Sequence, residues 1–150
     1  MEGSATVLAF DFGRKRIGVA VGQQLGATSQ PLDTVAVVHN KPDWDHIGRL
    51  LEEWQPDRLL VGLPLNMDGS EHDLSRAARR FANQLQGRYR RPVELVDERL
   101  SSIEAEAIVD ESRRRGHVKQ GQRKRAIDPV AAELILRTWL AEQQRRPGMD

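Results

Sequence analysis

The order of strand-like and helix-like stretches in the first 63 residues restricts the fold more than any other feature of the sequence. Residues 5–12, 17–22 and 31–38 are apolar stretches separated by turn-forming residues, so we expect three strands in an antiparallel meander. Residues 44–55 repeat apolar positions at helical spacing, and the apolar run 58–62 follows as a short buried strand. A strand reached through a crossover helix runs parallel to its neighbour, which predicts a mixed α/β sheet.

The following stretch predicts another helix and a fifth strand. Ser70 and Asp73 resemble a capping box, which would begin a helix that extends to about Gln86. Residues 93–96 are apolar except for one acid, follow a proline and are expected to form the fifth strand. The expected core is therefore a five-stranded sheet, with three antiparallel strands followed by two parallel ones, flanked by helices.

Two more helices are predicted in the last third of the chain. Ser101 and Glu104 form a stronger capping box, and a helix should run from there to about Arg114. The last helix is expected to begin with Asp128 as its N-cap and Pro129 at its first position. Its apolar side chains should face the body of the protein: Val130, Leu134, Leu136 and Trp139.

Length and composition favour one compact domain. A chain of 150 residues with 39% hydrophobic content suits a single buried core, which we expect over residues 1–143, followed by a disordered tail over 144–150. The chain has no cysteine, which excludes disulfides, thiolate metal sites and cysteine nucleophiles. It shows neither a signal peptide nor an apolar run of about 20 residues, so we expect a soluble cytoplasmic protein without membrane contact.

Three acids stand where predicted strands end or a predicted helix begins: Asp11, Glu98 and Asp128. If they face a common cleft, their oxygens would suit Mg²⁺ or Mn²⁺. Strand alternation places Asp11 on the same face as Val7 and Ala9, where a charge needs a partner, which favours a ligand role. Glu98 could instead be a surface acid near a helix start, and Asp128 could be a helix cap, a role compatible with metal binding.

Charge is unevenly distributed, although 23 basic and 22 acidic residues give a net charge of only +1. Residues 94–111 hold seven acids and a single basic residue, Arg99, whereas residues 113–125 hold seven basic residues and no acid. An acidic centre beside basic arms is typical of an enzyme that binds a polyanion around a metal, although solvated helix faces are an equal alternative. The candidate nucleic-acid contacts are Lys15, Arg16, Arg113, Arg114, Arg115, Lys119, Arg123, Lys124 and Arg125.

Four ordered motifs carry a family resemblance over nearly the whole chain: LAFDFGRKRIGVAVG, VGLPLNMDGSE, VDERLSS and IDPVAAELIL. The chain resembles the YqgF family of RNase H-like nucleases, whose members are described as pre-16S rRNA nucleases or Holliday-junction resolvases. The resemblance implies the same five-stranded mixed sheet and assigns Asp11, Glu98 and Asp128 as catalytic, metal-binding acids. The chain departs from the family at Gln23, where an acid is common, which removes a possible extra carboxylate.

The chemistry expected is hydrolysis of phosphodiesters with two divalent ions, Mg²⁺ or Mn²⁺, because charge develops on both the attacking and the leaving oxygen. The favoured function is processing of precursor 16S rRNA. The alternatives are a Holliday-junction resolvase, which would act as a dimer, and a nucleic-acid-binding module without activity. The oligomeric state is open between monomer and homodimer. An actin-like ATPase is disfavoured because 150 residues cannot supply its second domain.

Overall fold

The first three strands form the predicted antiparallel meander. The structure, a computed structural model, describes residues 5–97 and 123–144. Strand β1 (Thr6–Phe12) pairs with β2 (Arg16–Gln23), and β2 pairs with β3 (Thr28–Val38), in both cases antiparallel. The register of β2 against β3 shifts between Val19 and Ala20, where the ladder is irregular. The predicted strands are confirmed, and β3 begins three residues earlier than expected.

A short sixth strand was not predicted. Strand β4 (Lys41–Pro42) pairs with the end of β3 across a two-residue turn made by His39 and Asn40. Both turn residues have positive φ, 54° and 63°, the backbone that a tight hairpin turn with right-handed twist requires. Because β4 has only two residues and lacks a glycine in its turn, neither periodicity nor turn composition indicated it. Over residues 5–97 and 123–144, it makes the sheet six-stranded, in the order β4-β3-β2-β1-β5-β6.

The crossover from the meander to the parallel strands is confirmed. Helix α1 (Trp44–Trp54) begins after Asp43, whose side chain accepts a hydrogen bond from the His46 amide. Gln55 follows as its C-cap in the left-handed conformation. Strand β5 (Arg58–Leu63) then pairs in parallel with β1, and β6 (Val93–Asp97) pairs in parallel with β5. The three antiparallel and two parallel strands expected from the sequence are therefore all present.

The predicted cap of the second helix was wrong. Helix α2 (Asp73–Tyr89) is capped by His72, which forms a reciprocal capping box with Ser75. Ser70 lies two residues before this cap, and its hydroxyl is used within the preceding turn, where it accepts from the Asn66 side-chain amide at 2.9 Å and donates to Asp68 at 2.6 Å. The helix also ends later than the predicted Gln86, since its chain continues in helical form to Tyr89.

The start of the last helix differs from the prediction too. Helix α3 (Arg123–Gln144) contains Pro129 in its interior, so Asp128 is not the N-cap. An interior proline removes one backbone hydrogen bond and costs about 3 kcal/mol, a loss that packing of the following turns can offset. Those turns are buried against the sheet, and Glu133 accepts a hydrogen bond at 3.0 Å from Ser29 of β3. The predicted helix over 101–114 and the tail after Gln144 lie outside the described residues.

The two faces of the sheet carry separate apolar clusters. Helices α1 and α2 cover one face, where residues such as Phe10, Ile47 and Phe81 pack together. Helix α3 covers the other, and this α3 face is formed by apolar side chains of β1, β2, β5, β6 and the helix. It comprises Val7, Ala9, Ala20, Leu60, Val96, Ala132, Ile135, Leu136, Trp139 and Leu140. Three of the four predicted inward residues of α3, Leu134, Leu136 and Trp139, are buried, and Val130 is half-buried.

Candidate active site

Asp11 lies at the end of β1 on the α3 face of the sheet. Val7 and Ala9 are buried in the cluster beneath α3, and strand alternation continues that face to Asp11. The Asp11 side chain is half-buried, so its charge is partly withdrawn from water. A carboxylate in that position needs hydrogen bonds or a cation to offset its desolvation. This placement confirms the face predicted from the sequence.

Glycines flank Asp11 on both neighbouring strands. Asp11 pairs with Gly18 of β2, and the register of β1 with β5 places Gly62 at the next position beyond the pair of Phe10 with Val61. Neither neighbour has a side chain that could cover the carboxylate from the side. On the two neighbouring strands, the positions beside Asp11 are therefore ones where another group can come close to the backbone.

The turn after Asp11 is held in a fixed shape. A Cβ atom at Gly13 would lie 2.6 Å from the carbonyl oxygen of Arg16, so only glycine fits there without a backbone shift. The Lys15 carbonyl accepts a hydrogen bond from the Val37 amide at 3.0 Å, which ties the turn to β3. Lys15 is exposed and Arg16 is half-buried at the start of β2. The two predicted phosphate contacts of this turn therefore lie within a few residues of Asp11.

The carboxyl ends of β1, β5 and β6 meet at one edge of the sheet, because these three strands run parallel. In α/β sheets, this edge is the usual place for a ligand. Val96 of β6 is buried on the α3 face, and Glu98 follows it by two residues, so continued alternation would bring Glu98 to the face of Asp11. Glu98 itself lies outside the described residues. Asp97 is exposed and alternates to the other face, as expected.

Asp128 is carried by the helix that covers the α3 face. It precedes Ala132 by four residues and Ile135 by seven, both of which are buried there, and that spacing corresponds to one side of a helix. The side chain of Asp128 is outside the described part of the structure, as are those of Arg123, Lys124 and Arg125. Among residues 5–97 and the described side chains of α3, no cluster of three or more potential metal ligands occurs. Of the three acids, the structure thus describes the surroundings of Asp11 alone.

The remaining predicted nucleic-acid contacts, Arg113, Arg114, Arg115 and Lys119, also lie outside the described residues. The clear pKa shifts in the described part belong to groups on α2 or just before it. A hydrogen bond from Arg79 lowers the pKa of Glu71, and burial raises the pKa of Tyr89. Arg79 bonds to Glu71 just before α2, and the Tyr89 hydroxyl donates to the Trp44 carbonyl of α1, so none of these groups belongs to the predicted acid site.

Two histidines have structural roles that the sequence did not reveal. His72 caps α2 through its Nδ1, and the Nε2 of His46 lies 2.8 Å from Asp33 on β3. A histidine cap is unusual, and the hydrogen bond between His46 and Asp33 joins residues that periodicity alone does not place together. Neither histidine has the geometry of a catalytic group at the β1 edge.

The loop between β5 and α2 is closed by its own hydrogen bonds. The Asn66 amide donates to the Ser70 carbonyl at 2.9 Å, and the hydroxyl of Ser75 donates to the Pro64 carbonyl. Gly69 has a φ of 89°, which a turn at this position requires. This loop carries the motif LPLNMDGS and leaves the carboxyl end of β5, one strand away from Asp11.

The architecture is that of RNase H-like nucleases. Among solved structures, it is similar to Thermus thermophilus RuvC in complex with a Holliday junction substrate, with a TM-score of 0.51 and 14% identity. That match covers 93% of this chain and 96% of the RuvC chain. At such low identity, the similarity establishes the fold class only.

The particular family follows from sequence comparison. The family model described as "RuvX: Holliday junction resolvase" matches residues 5–142, and the chain belongs to this family, the one that the YqgF-like motifs indicated. A relative from Nitrosococcus oceani is 51% identical over 92% of this chain and 88% of its own length. Another from Saccharophagus degradans is 46% identical over 96% of this chain and 99% of its own. Both are named "Putative pre-16S rRNA nuclease".

Membership in this family makes the chain a nuclease, a hydrolase of phosphodiester bonds. Within the described residues, no helix is both long enough and apolar enough to cross a membrane.

Proposed function

We propose that this nuclease processes the precursor of 16S rRNA in the cytoplasm, using divalent ions held by Asp11, Glu98 and Asp128. The substrate is inferred from relatives that are 46–51% identical over nearly the whole chain and are named for that activity. The observation that supports the site is Asp11, a half-buried carboxylate between two glycine positions at the carboxyl edge of three parallel strands.

The residues present fit a divalent metal. Carboxylate oxygens are the ligands that Mg²⁺ and Mn²⁺ prefer, and a half-buried carboxylate gains from a neighbouring cation. Asp11 would hold the ion from the sheet, Glu98 from the end of β6 and Asp128 from α3. A bound pair of ions would supply an activated water and charge stabilisation for the leaving oxygen.

The remaining residues of the site would bind and orient the strand. Lys15 and Arg16 follow Asp11 in a turn whose shape is fixed by Gly13, so their cationic groups would contact phosphates beside the scissile bond. The basic residues between Arg113 and Arg125 would contact phosphates farther along the substrate. Such contacts are not base-specific, which suits recognition by backbone and shape.

A second candidate, resolution of Holliday junctions, is favoured by the description of the matching family model. It would require a homodimer, because two symmetric strands must be cut. Precursor rRNA processing would need only a monomer. The same acids would serve either reaction.

One experiment tests both candidates. The purified protein is incubated with Mg²⁺ or Mn²⁺ and labelled precursor 16S rRNA ends, linear duplexes and four-way junctions in parallel, with Asp11→Asn as the control for contaminating nucleases. Cleavage of the rRNA ends alone supports processing, and symmetric cuts in the junction support resolution. Binding without metal-dependent cleavage of any substrate would leave a nucleic-acid-binding module and refute the proposed activity.

A further inference from the structure

A pocket of about 200 Å³ opens on the face of the sheet opposite Asp11, between the turn after β1, the β3–β4 hairpin and α2. Its volume is below the range of about 300–1,000 Å³ typical for whole drug-sized ligands, so it suits a smaller unit. Its floor is aromatic and its rim is polar or cationic. The residues that matter here are Phe12, Phe81, Arg14, Arg80, Asn40 and Gln84.

The aromatic floor of the pocket packs against buried aromatic rings. Phe81 is buried and packs against Phe12 with ring centroids 5.1 Å apart, and Trp44 stacks on Phe81 at 5.7 Å. Phe12 is only half-buried, so part of its ring remains accessible. A half-exposed aromatic ring fixed by buried ones is a surface on which a planar base can stack.

The two arginines of the rim are available to an anion. Arg14 and Arg80 are both exposed, and neither forms an ion pair with another residue in the described part of the chain. Their neighbours on α2 differ in this respect, because Arg76 pairs with Asp73, and Arg79 pairs with Glu71 at 2.6 Å. Two unneutralised guanidinium groups beside an aromatic floor match the phosphate and base of one nucleotide.

The pocket begins one residue after Asp11 along β1, on the opposite face of the sheet. Asp11 and Phe12 are consecutive residues of β1, so one faces α3 and the other faces the pocket. Arg14 lies in the exposed turn that joins the two sides. A single strand that passes over this turn would reach the carboxylate and the pocket within a few nucleotides.

We propose that this pocket binds one unpaired nucleotide of the substrate, with its base against Phe12 and its phosphate held by Arg14 and Arg80. The inference rests on the proposed nuclease function and adds to it a subsite for single-stranded nucleic acid next to the cleavage site. Asn40 and Gln84 supply amide groups that can donate to or accept from a base edge. The subsite favours substrates in which a nucleotide is unpaired near the scissile bond.

The test measures binding in EDTA, so that it is independent of cleavage. The probes are adenosine 5′-monophosphate and a short single-stranded RNA, and the variants are Arg80→Ala and Phe12→Leu. Arg79→Ala is the matched control, since it removes the same charge from the adjacent position of α2, outside the pocket. Thermal melting verifies that each variant is folded.

We expect each pocket variant to weaken RNA binding about fivefold or more relative to Arg79→Ala, and Arg80→Ala to reduce the salt slope by about 0.7. If the pocket variants also lose affinity for adenosine 5′-monophosphate, the pocket accepts a free nucleotide. A loss for RNA alone would show that it holds a nucleotide within a strand, and either result supports the subsite. Effects equal to those of Arg79→Ala, or no binding of either probe by the parent protein, would overturn it. Cleavage with Mg²⁺, measured separately, decides the proposed function.

Discussion

Replacing Leu136 by Ala tests whether α3 is docked on the sheet as the proposed site requires. Leu136 is fully buried, and its side chain lies so close to Gly22 that a Cβ there would be 2.7 Å from its Cδ2 atom. The substitution removes three carbons, worth about 2.4 kcal/mol at ~0.8 kcal/mol for each buried carbon group. The cavity left between helix and strand adds to this, so we expect a loss of roughly 3–4 kcal/mol.

Urea denaturation followed by circular dichroism measures the loss, and the variant should stay folded because domains of this size have about 5–15 kcal/mol of stability. Leu25→Ala is the matched control, since Leu25 is 68% exposed and its truncation should change the free energy of unfolding by no more than about 0.5 kcal/mol. A loss below about 1 kcal/mol for Leu136→Ala would show that α3 does not pack on β2. The reason for placing Asp128 on the face of Asp11 would then disappear.

Three further predictions concern the chemistry. Asp11→Asn should abolish cleavage while the protein stays folded in thermal melting, because the amide keeps the size of the carboxylate but lacks the charge that a divalent ion requires; normal turnover would exclude Asp11 as a ligand. Replacing Arg123, Lys124 and Arg125 together by Ala should lower the salt slope of single-strand binding by about 0.7 for each lost phosphate contact, measured by fluorescence anisotropy, and an unchanged slope would assign them to the solvated surface. Asp128→Asn should melt like the parent protein without metal but need much more Mg²⁺ for cleavage. Full activity at limiting Mg²⁺ would show that Asp128 is not one of the metal-binding acids.

The strands were predictable because each one combines an apolar run with a clear turn signal. Residues 5–12 and 17–22 are separated by a turn whose glycine is sterically required, and the helix over 44–55 lies between Pro42 and Pro56. The β3–β4 hairpin had no such signal, because its two turn residues adopt positive φ without being glycine. Asn40 is a common residue in such turns, but no glycine accompanies it and the strand that follows has only two residues, too few to show alternation.

Helix starts were harder to predict, since several residues compete for the same role. Ser70 is a residue type that often caps helices, but its hydroxyl bonds to Asn66 and Asp68 within the loop, and His72 caps α2 instead. Which residue caps the helix depends on the path of the loop, and the sequence does not specify that path. For the site, alternation placed Asp11 correctly from β1 alone, whereas the meeting of three acids from distant elements depends on tertiary packing.

The interior position of Pro129 changes the reasoning about Asp128. An aspartate followed by proline is common at a helix N-terminus, so a capping role would have explained Asp128 without any function. Helix α3 begins at Arg123, however, and Asp128 lies within it, where aspartate has a poor helix propensity and the proline costs further stability. Local helix formation therefore gives no reason for this pair of residues. A role for Asp128 as a metal ligand, on the face that α3 shares with Asp11, would supply the reason. A functional requirement can maintain a locally unfavourable sequence.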